Sequence, residues 1–348
     1  MGKRVTIQDI ADALGISRNT VSKAINNSDG LAEATRERIL QKAVEMGYKQ
    51  FSYVSALTNS AREAAETPRG ASGFRGEIAL FTTTFLTNSH FASLMLDGFQ
   101  SEISQLGYTL NTHRITPENR ENLTLPITFS AERTSAILCI EMFDRNYDEL
   151  VCALGLPVLF VDGPAKHDGS TLPADQLYMD NTTGMVTLVN ELLGKGIRRI
   201  GFIGDPRHCQ SFFERYMAFR GAMLLAGIPV DERWCLTGQK KEEIGSQLAA
   251  LHELPELFLC ANDFVASDAI QALREQGRRY PEDVRFCGFD DAPEARSVTP
   301  PLTTIHIHTQ VMAFSAVHLL MTRTKQPSLD CRTVYTETEL IRRESTEF

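Results

Sequence analysis

At 348 residues the chain is long enough for two or three compact units, and its ordinary composition, 43% hydrophobic and 23% charged, excludes a fibrous or largely disordered protein. No stretch approaches the ~18 consecutive apolar residues of a membrane span and the N-terminus lacks a secretory apolar run, so a cytoplasmic protein without membrane contact is expected. Seven scattered cysteines without a CxxC favour reduced core thiols over disulfides or a metal site, and a formal net charge of −9 argues against coating nucleic acid over the whole surface.

The charge is uneven, because residues 1–75 carry 11 Lys and Arg against 8 Asp and Glu. There, Thr6 can cap a helix with Asp9 three residues on, and Ile7, Ile10, Ala11 and Leu14 share one face of it. Gly15 supplies the left-handed stop, and Ser17 can cap a second helix after a turn of only a few residues. In that second helix Val21, Ala24 and Ile25 form the inward stripe, with Asn19, Ser22, Lys23 and Asn26 opposite. A third helix, EATRERILQKAVEM, turns Ile39, Leu40, Ala43 and Met46 inward and ends at Gly47. The outward face of the second helix is polar but not acidic, as a major-groove reader needs, since Asn can pair with adenine and Lys or Arg with guanine. The solvated surface of any small helical bundle would also be polar.

The run VTIQDIADALGISRNTVSKAINNSDGLAEATRERILQKAVEMGYK closely resembles the N-terminal helix-turn-helix of the lactose-repressor (LacI/GalR) family of bacterial transcription regulators. That resemblance implies that Arg18, Asn19 and Lys23 contact base edges and that Ser17, Thr20 and Ser22 contact phosphate, with Thr6 and Asn26 in the same DNA-contacting set. It also implies a hinge helix whose leucine, here Leu57, enters the minor groove. The family's Pro-Asn pair after the tyrosine is missing, the chain reading KQFSYVSALTNS, with Ser52 able to cap instead. Leu57 also reads as an ordinary apolar residue of a frayed segment. Residues 1–50 are thus the expected DNA-binding domain and 51–76 the hinge and linker.

From residue 77 apolar runs alternate with helical stretches: 78–84, 109–114, 136–142, 158–163, 198–204, 233–238, 257–262, 284–290 and 303–307 are the expected strands. Such runs joined by helices mean buried parallel sheets, and their number exceeds one comfortable sheet, so two βα subdomains with a cleft between them are expected. Polar residues gather at the strands' carboxyl ends, where open α/β sheets bind ligands: Asp162, Asp205, Asn262 with Asp263, and Asp290 with Asp291.

This stretch resembles the same family's effector domain, which shares its fold with periplasmic sugar-binding proteins. The resemblance implies an all-α helix-turn-helix head followed by an α/β, two-subdomain, periplasmic-binding-protein-like domain with parallel sheets, divided as 77–163 plus 293–322 and 164–292 plus 323–348. It implies effector contacts at His90, Phe91, Asp162, Arg215, Asn262 and Asp290, for a sugar, sugar phosphate or related molecule. Two departures stand out. Ala218 replaces a glycine, and Lys240 replaces an aromatic that often stacks on the ligand, which implies either a negatively charged effector or merely a solvated KKEE turn. No GxSxG, HExxH, GxxxxGK[ST] or GxGxxG supports an enzyme, and no cofactor or metal is expected. The expected protein is an effector-responsive repressor of carbohydrate-utilisation genes, a homodimer on a pseudo-palindromic double-stranded DNA operator, with ETELIRRESTEF in place of the leucine-rich tail of tetrameric members. A free-standing sugar-binding protein or a corepressor-dependent regulator are the alternatives.

Overall fold

Thr6 starts the first helix, α1 (Ile7–Leu14), through a reciprocal capping box in which its hydroxyl accepts from the Asp9 amide at 3.2 Å while the Asp9 carboxylate accepts from the Thr6 amide at 2.8 Å. Gly15, at φ +66°, stops it. The second and third helices, α2 (Arg18–Ile25) and α3 (Glu33–Glu45), close a small core of Ile10, Ala11, Val21, Ala24, Ile39 and Ala43. Such a core covers little apolar surface, so capping contributes visibly to stability: removing a side-chain cap typically costs about 1 kcal/mol. The computed structural model describes residues 5–25, 31–46, 73–84 and 90–347, in two compact units, Met1–Gly73 and Phe74–Phe348. Asn26, Leu57 and the expected hinge lie outside the described residues, and of His90 only the backbone is described.

The second unit begins with β1 (Gly76–Thr82), α4 (His90–Gln105), β2 (Tyr108–Arg114), α5 (Pro117–Asn122), β3 (Thr134–Ile140), α6 (Arg145–Cys152) and β4 (Val158–Val161). Then come β5 (Asp175–Met179), α7 (Thr183–Gly194), β6 (Ile200–Ile203), α8 (Gln210–Leu225), β7 (Cys235–Leu236), α9 (Lys241–Ala249), β8 (Leu257–Cys260), α10 (Asp263–Glu275) and β9 (Arg285–Cys287). The chain closes with α11 (Pro293–Ser297), β10 (Thr304–Ile307), α12 (Thr309–Lys325), β11 (Thr333–Thr336) and β12 (Thr338–Ile341). One sheet has the order β11-β5-β4-β3-β1-β2 and the other β7-β6-β8-β9, and every pairing within both is parallel. In each sheet the order reverses beside the first strand, between β1 and β3 and between β6 and β8. These are the switch points at which helices leave to opposite faces and a crevice opens at the carboxyl ends.

The division between the sheets differs from the expected one. β5 and β11, expected with the second subdomain, pair with each other in the first sheet, whereas β10, expected with the first, bridges to β9 through Cys287 and Thr303 and pairs antiparallel with β12. The chain therefore passes between the sheets after Met179, Ile307 and Thr336. The cause lies at Asp175, which is fully buried and accepts from Arg323 of α12 at 2.8 Å and from Arg332 at 2.7 Å, pinning the start of β5 to the segment that enters β11. A buried carboxylate needs such partners, and here they are distant in sequence. A continuous apolar cluster links both sheets, from Ile78 and Leu138 to Phe202, Phe219 and Phe289.

Candidate functional site

In the head, Val21 and Ala24 point into the core and leave Arg18, Asn19 and Lys23 exposed on the far side of α2, with Thr20 and Ser22 half-buried. Asn19 and Lys23 are one turn apart, so they lie on one face. The Ser17 hydroxyl accepts from the Thr20 amide at 3.1 Å and pairs with the Thr20 hydroxyl at 2.8 Å. Ser17, Thr20 and Thr6 thus hold helix starts, whatever else they touch.

In the second unit, the carboxyl ends of both sheets open onto one cavity of about 500 Å³. Thr83 after β1, Glu141 after β3, Asp162 after β4, Asp205 after β6, Gln239 after β7, Asn262 after β8 and Asp290 after β9 all line it. Of the residues expected to contact an effector, the structure brings together Phe91, Asp162, Arg215, Asn262 and Asp290. It does not bring in Lys240, an exposed residue preceding α9, because the turn after β7 presents Gln239 to the cavity and sends the lysine outward. Asp263 and Asp291 have other employment. Asp263 accepts from the Thr304 hydroxyl at 2.7 Å and the Ala292 amide at 2.8 Å, while Asp291 pairs with Arg343, with Arg296 at 2.8 Å and with His306 at 3.2 Å.

Three of the cavity carboxylates sit on left-handed backbone: Glu141 at φ +55°, Asp162 at +57° and Asp290 at +109°. Non-glycine residues reach that region at a cost of about 1–3 kcal/mol each, and a cluster of them at one cavity marks a site whose side-chain directions matter more than backbone ease. Arg215, in α8, is 3% exposed and lies between them and the wall. Its Nε donates to Asn181 Oδ1 at 2.9 Å, its Nη1 donates to the Ala261 carbonyl at 2.7 Å, and the Phe289 ring lies 3.5 Å from its central carbon. Its Nη1 approaches Asp290 Oδ1 at 3.7 Å, an ion-pair contact too long for a hydrogen bond.

Burial raises the Asp290 carboxyl to about 7, with Glu141 and Asp162 reinforcing the rise and Arg215 opposing it. Burial also raises Asp162, although the Gly163 amide, donating to its Oδ1 at 2.9 Å, and the Arg215 charge pull the other way. Desolvation lowers His208, whose ring meets Phe143 edge-on at 5.0 Å. Phe91, Phe143, Phe212 and Phe264 give the cavity apolar walls. Sequence reasoning missed Glu141, Gln239, His208 and these last three aromatics. Glu141 had a signal, its place directly after the strand run AILCI; the aromatics reach the cavity from helix starts and loops that carry no pattern. Among the described residues no group of three or more His, Cys, Asp and Glu is placed to hold a metal ion.

A helix-turn-helix head with an exposed polar reading face, followed by a two-sheet domain with a ligand-sized cavity between its sheet edges, defines the class of transcription regulators that couple DNA binding to a small molecule. Residues 6–50 match the model of the bacterial regulatory proteins of the lacI family, and residues 189–346 match a periplasmic binding protein-like domain. The chain is 26% identical over 351 residues to an HTH-type transcriptional repressor PurR of Mannheimia succiniciproducens and 27% identical to that of Photobacterium profundum, covering 98% of each chain and of this one. Among solved structures, a transcriptional regulator CelR–cellobiose complex matches with a TM-score of 0.66 at 24% identity, covering 98% of this chain and all of the other. A lac repressor dimer bound to operator and the anti-inducer ONPF matches with a TM-score of 0.62 at 21% identity over 99% of both. Residues 6–50 thus carry a lacI-family DNA-binding domain and the second unit a periplasmic binding protein-like domain, and the chain is an effector-responsive, DNA-binding transcriptional regulator.

Proposed function

We propose that this regulator is a homodimeric repressor that works in the cytoplasm, reads a pseudo-palindromic operator with Arg18, Asn19 and Lys23, and is released from DNA by a small, hydroxylated, sugar-like ligand held in the cavity of the second unit. The observation that carries the reading is the convergence of strand ends from both sheets on one cavity lined by Asp162, Arg215, Asn262 and Asp290. Carboxylates and aromatic walls together suit a ring with hydroxyls on its edge and an apolar face. Two relatives named as repressors and a similar structure holding cellobiose support it. A second copy of the chain is supported by large apolar side chains that stay exposed, Leu94 on α4 and Met217, Leu224 and Leu225 on α8. One head also buries too little surface for specific affinity, and a dimer doubles it.

Titration of a labelled operator with the full chain, with and without ligands found by thermal shift, tests this. Two chains per operator are expected, and ligand should weaken binding by roughly 5- to 150-fold, corresponding to a coupling of about 1–3 kcal/mol. Asp290→Asn should bind operator with the parent's affinity and lose that response. An unchanged ligand response in this variant and in Arg215→Ala would place the effector elsewhere, and tightening of DNA binding by ligand would make it a corepressor.

A further inference from the structure

The arginine of the cavity is held from behind through a carboxylate that does not itself line it. Asn181, 1% exposed, stands where the chain leaves β5 for α7, and its side chain lies between two residues of α8, Arg215 and Glu214. Its Oδ1 accepts from Arg215 Nε at 2.9 Å, while its Nδ2 donates to Glu214 Oε2 at 2.8 Å. The other oxygen of Glu214 accepts from Gln210 Nε2 at 2.9 Å and from the hydroxyl of Tyr335 on β11 at 2.7 Å. Both of these donors are held in turn. Gln210 Oε1 accepts from the Lys166 amide at 2.8 Å, which directs its NH2 group to Glu214, and Tyr335 stacks on Tyr178 with ring centroids 5.4 Å apart. Asn181 and Glu214 are not among the described residues that line the cavity, whereas Arg215 is.

Resting on the reading of this cavity as the effector site, we propose that Glu214 is a positioning residue for it, fixing the direction of the Arg215 guanidinium by fixing the amide of Asn181. A side-chain amide presents an oxygen on one side and an NH2 group on the other, and half a turn exchanges them. A carboxylate can only accept and a guanidinium can only donate, so a single orientation of Asn181 satisfies both neighbours. The carboxylate therefore decides which end of the amide Arg215 meets. With Nε secured in this way and Nη1 on the Ala261 carbonyl, the guanidinium is kept against the Phe289 ring and beside Asp290. Without Glu214 the amide is free to turn its NH2 group towards the guanidinium, donor against donor. A buried charged donor without its acceptor is unfavourable, so the arginine leaves this pose for another acceptor.

The test needs no ligand. In the full chain carrying isotope-labelled arginine, nuclear magnetic resonance reads the Arg215 Nε–H signal, assigned by its loss in Arg215→Lys. That proton should exchange slowly with solvent at mildly alkaline pH, as should the proton of the buried Arg323, whose Nε donates to Asp175 at 3.3 Å and which serves as the internal reference. Glu214→Ala should speed exchange at Arg215 by at least about tenfold and leave Arg323 within about twofold, and Glu214→Met carries the same expectation should the alanine variant fail to fold. Glu214→Gln can still offer an oxygen to Asn181, and Tyr335→Phe removes only one donor to Glu214, so each should stay within about threefold of the parent at Arg215. Free exchange at Arg215 in the parent, or unchanged exchange in the alanine or methionine variant, overturns the proposal. So does a rise shared by Arg323, which marks general loosening, or a rise in Glu214→Gln as large as in Glu214→Ala, which would assign the effect to charge rather than to the amide. None of these outcomes bears on whether an effector enters the cavity, which Asp290→Asn and Arg215→Ala decide separately in the operator titration.

Discussion

The two units solve the problem of presenting polar groups in opposite ways. In the head, six small or branched side chains make the whole described core, and the candidate reading groups are what is left outside on one helix turn. In the second unit the polar groups are nearly interior, brought to one cavity from seven strand ends and kept there by strained backbone and a buried arginine. A surface reader can therefore be changed without disturbing the fold, whereas the cavity is inseparable from the packing beneath it.

The largest effect is expected where that packing is tightest. A side chain at Gly288 would place its Cβ 1.8 Å from Asp263 Oδ1. Gly288→Ala must therefore displace the carboxylate that holds the Thr304 hydroxyl and the Ala292 amide. Overpacking together with the loss of buried hydrogen bonds should cost roughly 3–5 kcal/mol in denaturant unfolding and weaken ligand binding two residues away at Asp290. A loss below about 1 kcal/mol would show the cavity to be more independent of its support than argued here.

The next concerns Asp148 in α6, which is fully buried with neither carboxyl oxygen hydrogen-bonded and is raised to about 8, chiefly by desolvation and secondarily by Asp144. Its folded value lies above its unfolded one, so its contribution is complete below about pH 4 and is lost progressively as the pH rises towards 8. Asp148→Leu, similar in shape, should remove that loss and stabilise the second unit by about 2–4 kcal/mol at pH 8 with little gain at pH 4. Chemical denaturation at the two pH values measures it, and an equal gain at both would assign the effect to packing alone.

The smallest effect on free energy has the largest functional meaning. Asn19→Ala and Lys23→Ala should leave thermal unfolding within about 0.5 kcal/mol of the parent, yet each should lose about 1–3 kcal/mol against its cognate base and relax specificity there. Affinity for a panel of operator variants decides it, because uniform weakening across all sequences would make these residues phosphate contacts.

The same contrast governs what could be read from the sequence. The head's periodicity is local: Ile10, Ala11, Val21, Ala24, Ile39 and Ala43 fall on 3.6-residue stripes, and Thr6, Gly15 and Ser17 punctuate them. The alternation of strands and helices was legible for the same reason, and so were Asp162, Asn262 and Asp290, because strand ends are where polar residues interrupt apolar runs. Membership of a sheet was not legible, since β5 and β11 are joined by Asp175, Arg323 and Arg332 across some 150 residues of chain. Nor was the fate of Lys240, which depends on which residue of a turn faces inward. Glu141 could have been recognised, but Phe143, Phe212 and Phe264 reach the cavity only through tertiary packing.

The passage of the chain back through both sheets has a consequence for how the protein is made. β11 closes the edge of the sheet that β1 began some 250 residues earlier, β12 supplies the antiparallel partner of β10, and the Ser345 hydroxyl then accepts from the Thr303 amide at 2.8 Å. Until residues 332–346 have left the ribosome, both halves lack a strand and the Asp175 carboxylate lacks Arg332, while the head, whose described core runs only from Ile10 to Ala43, can already have folded. A translating ribosome thus carries a reading head ahead of an unfinished sensor, so ligand control is gained only once residues 332–346 have emerged.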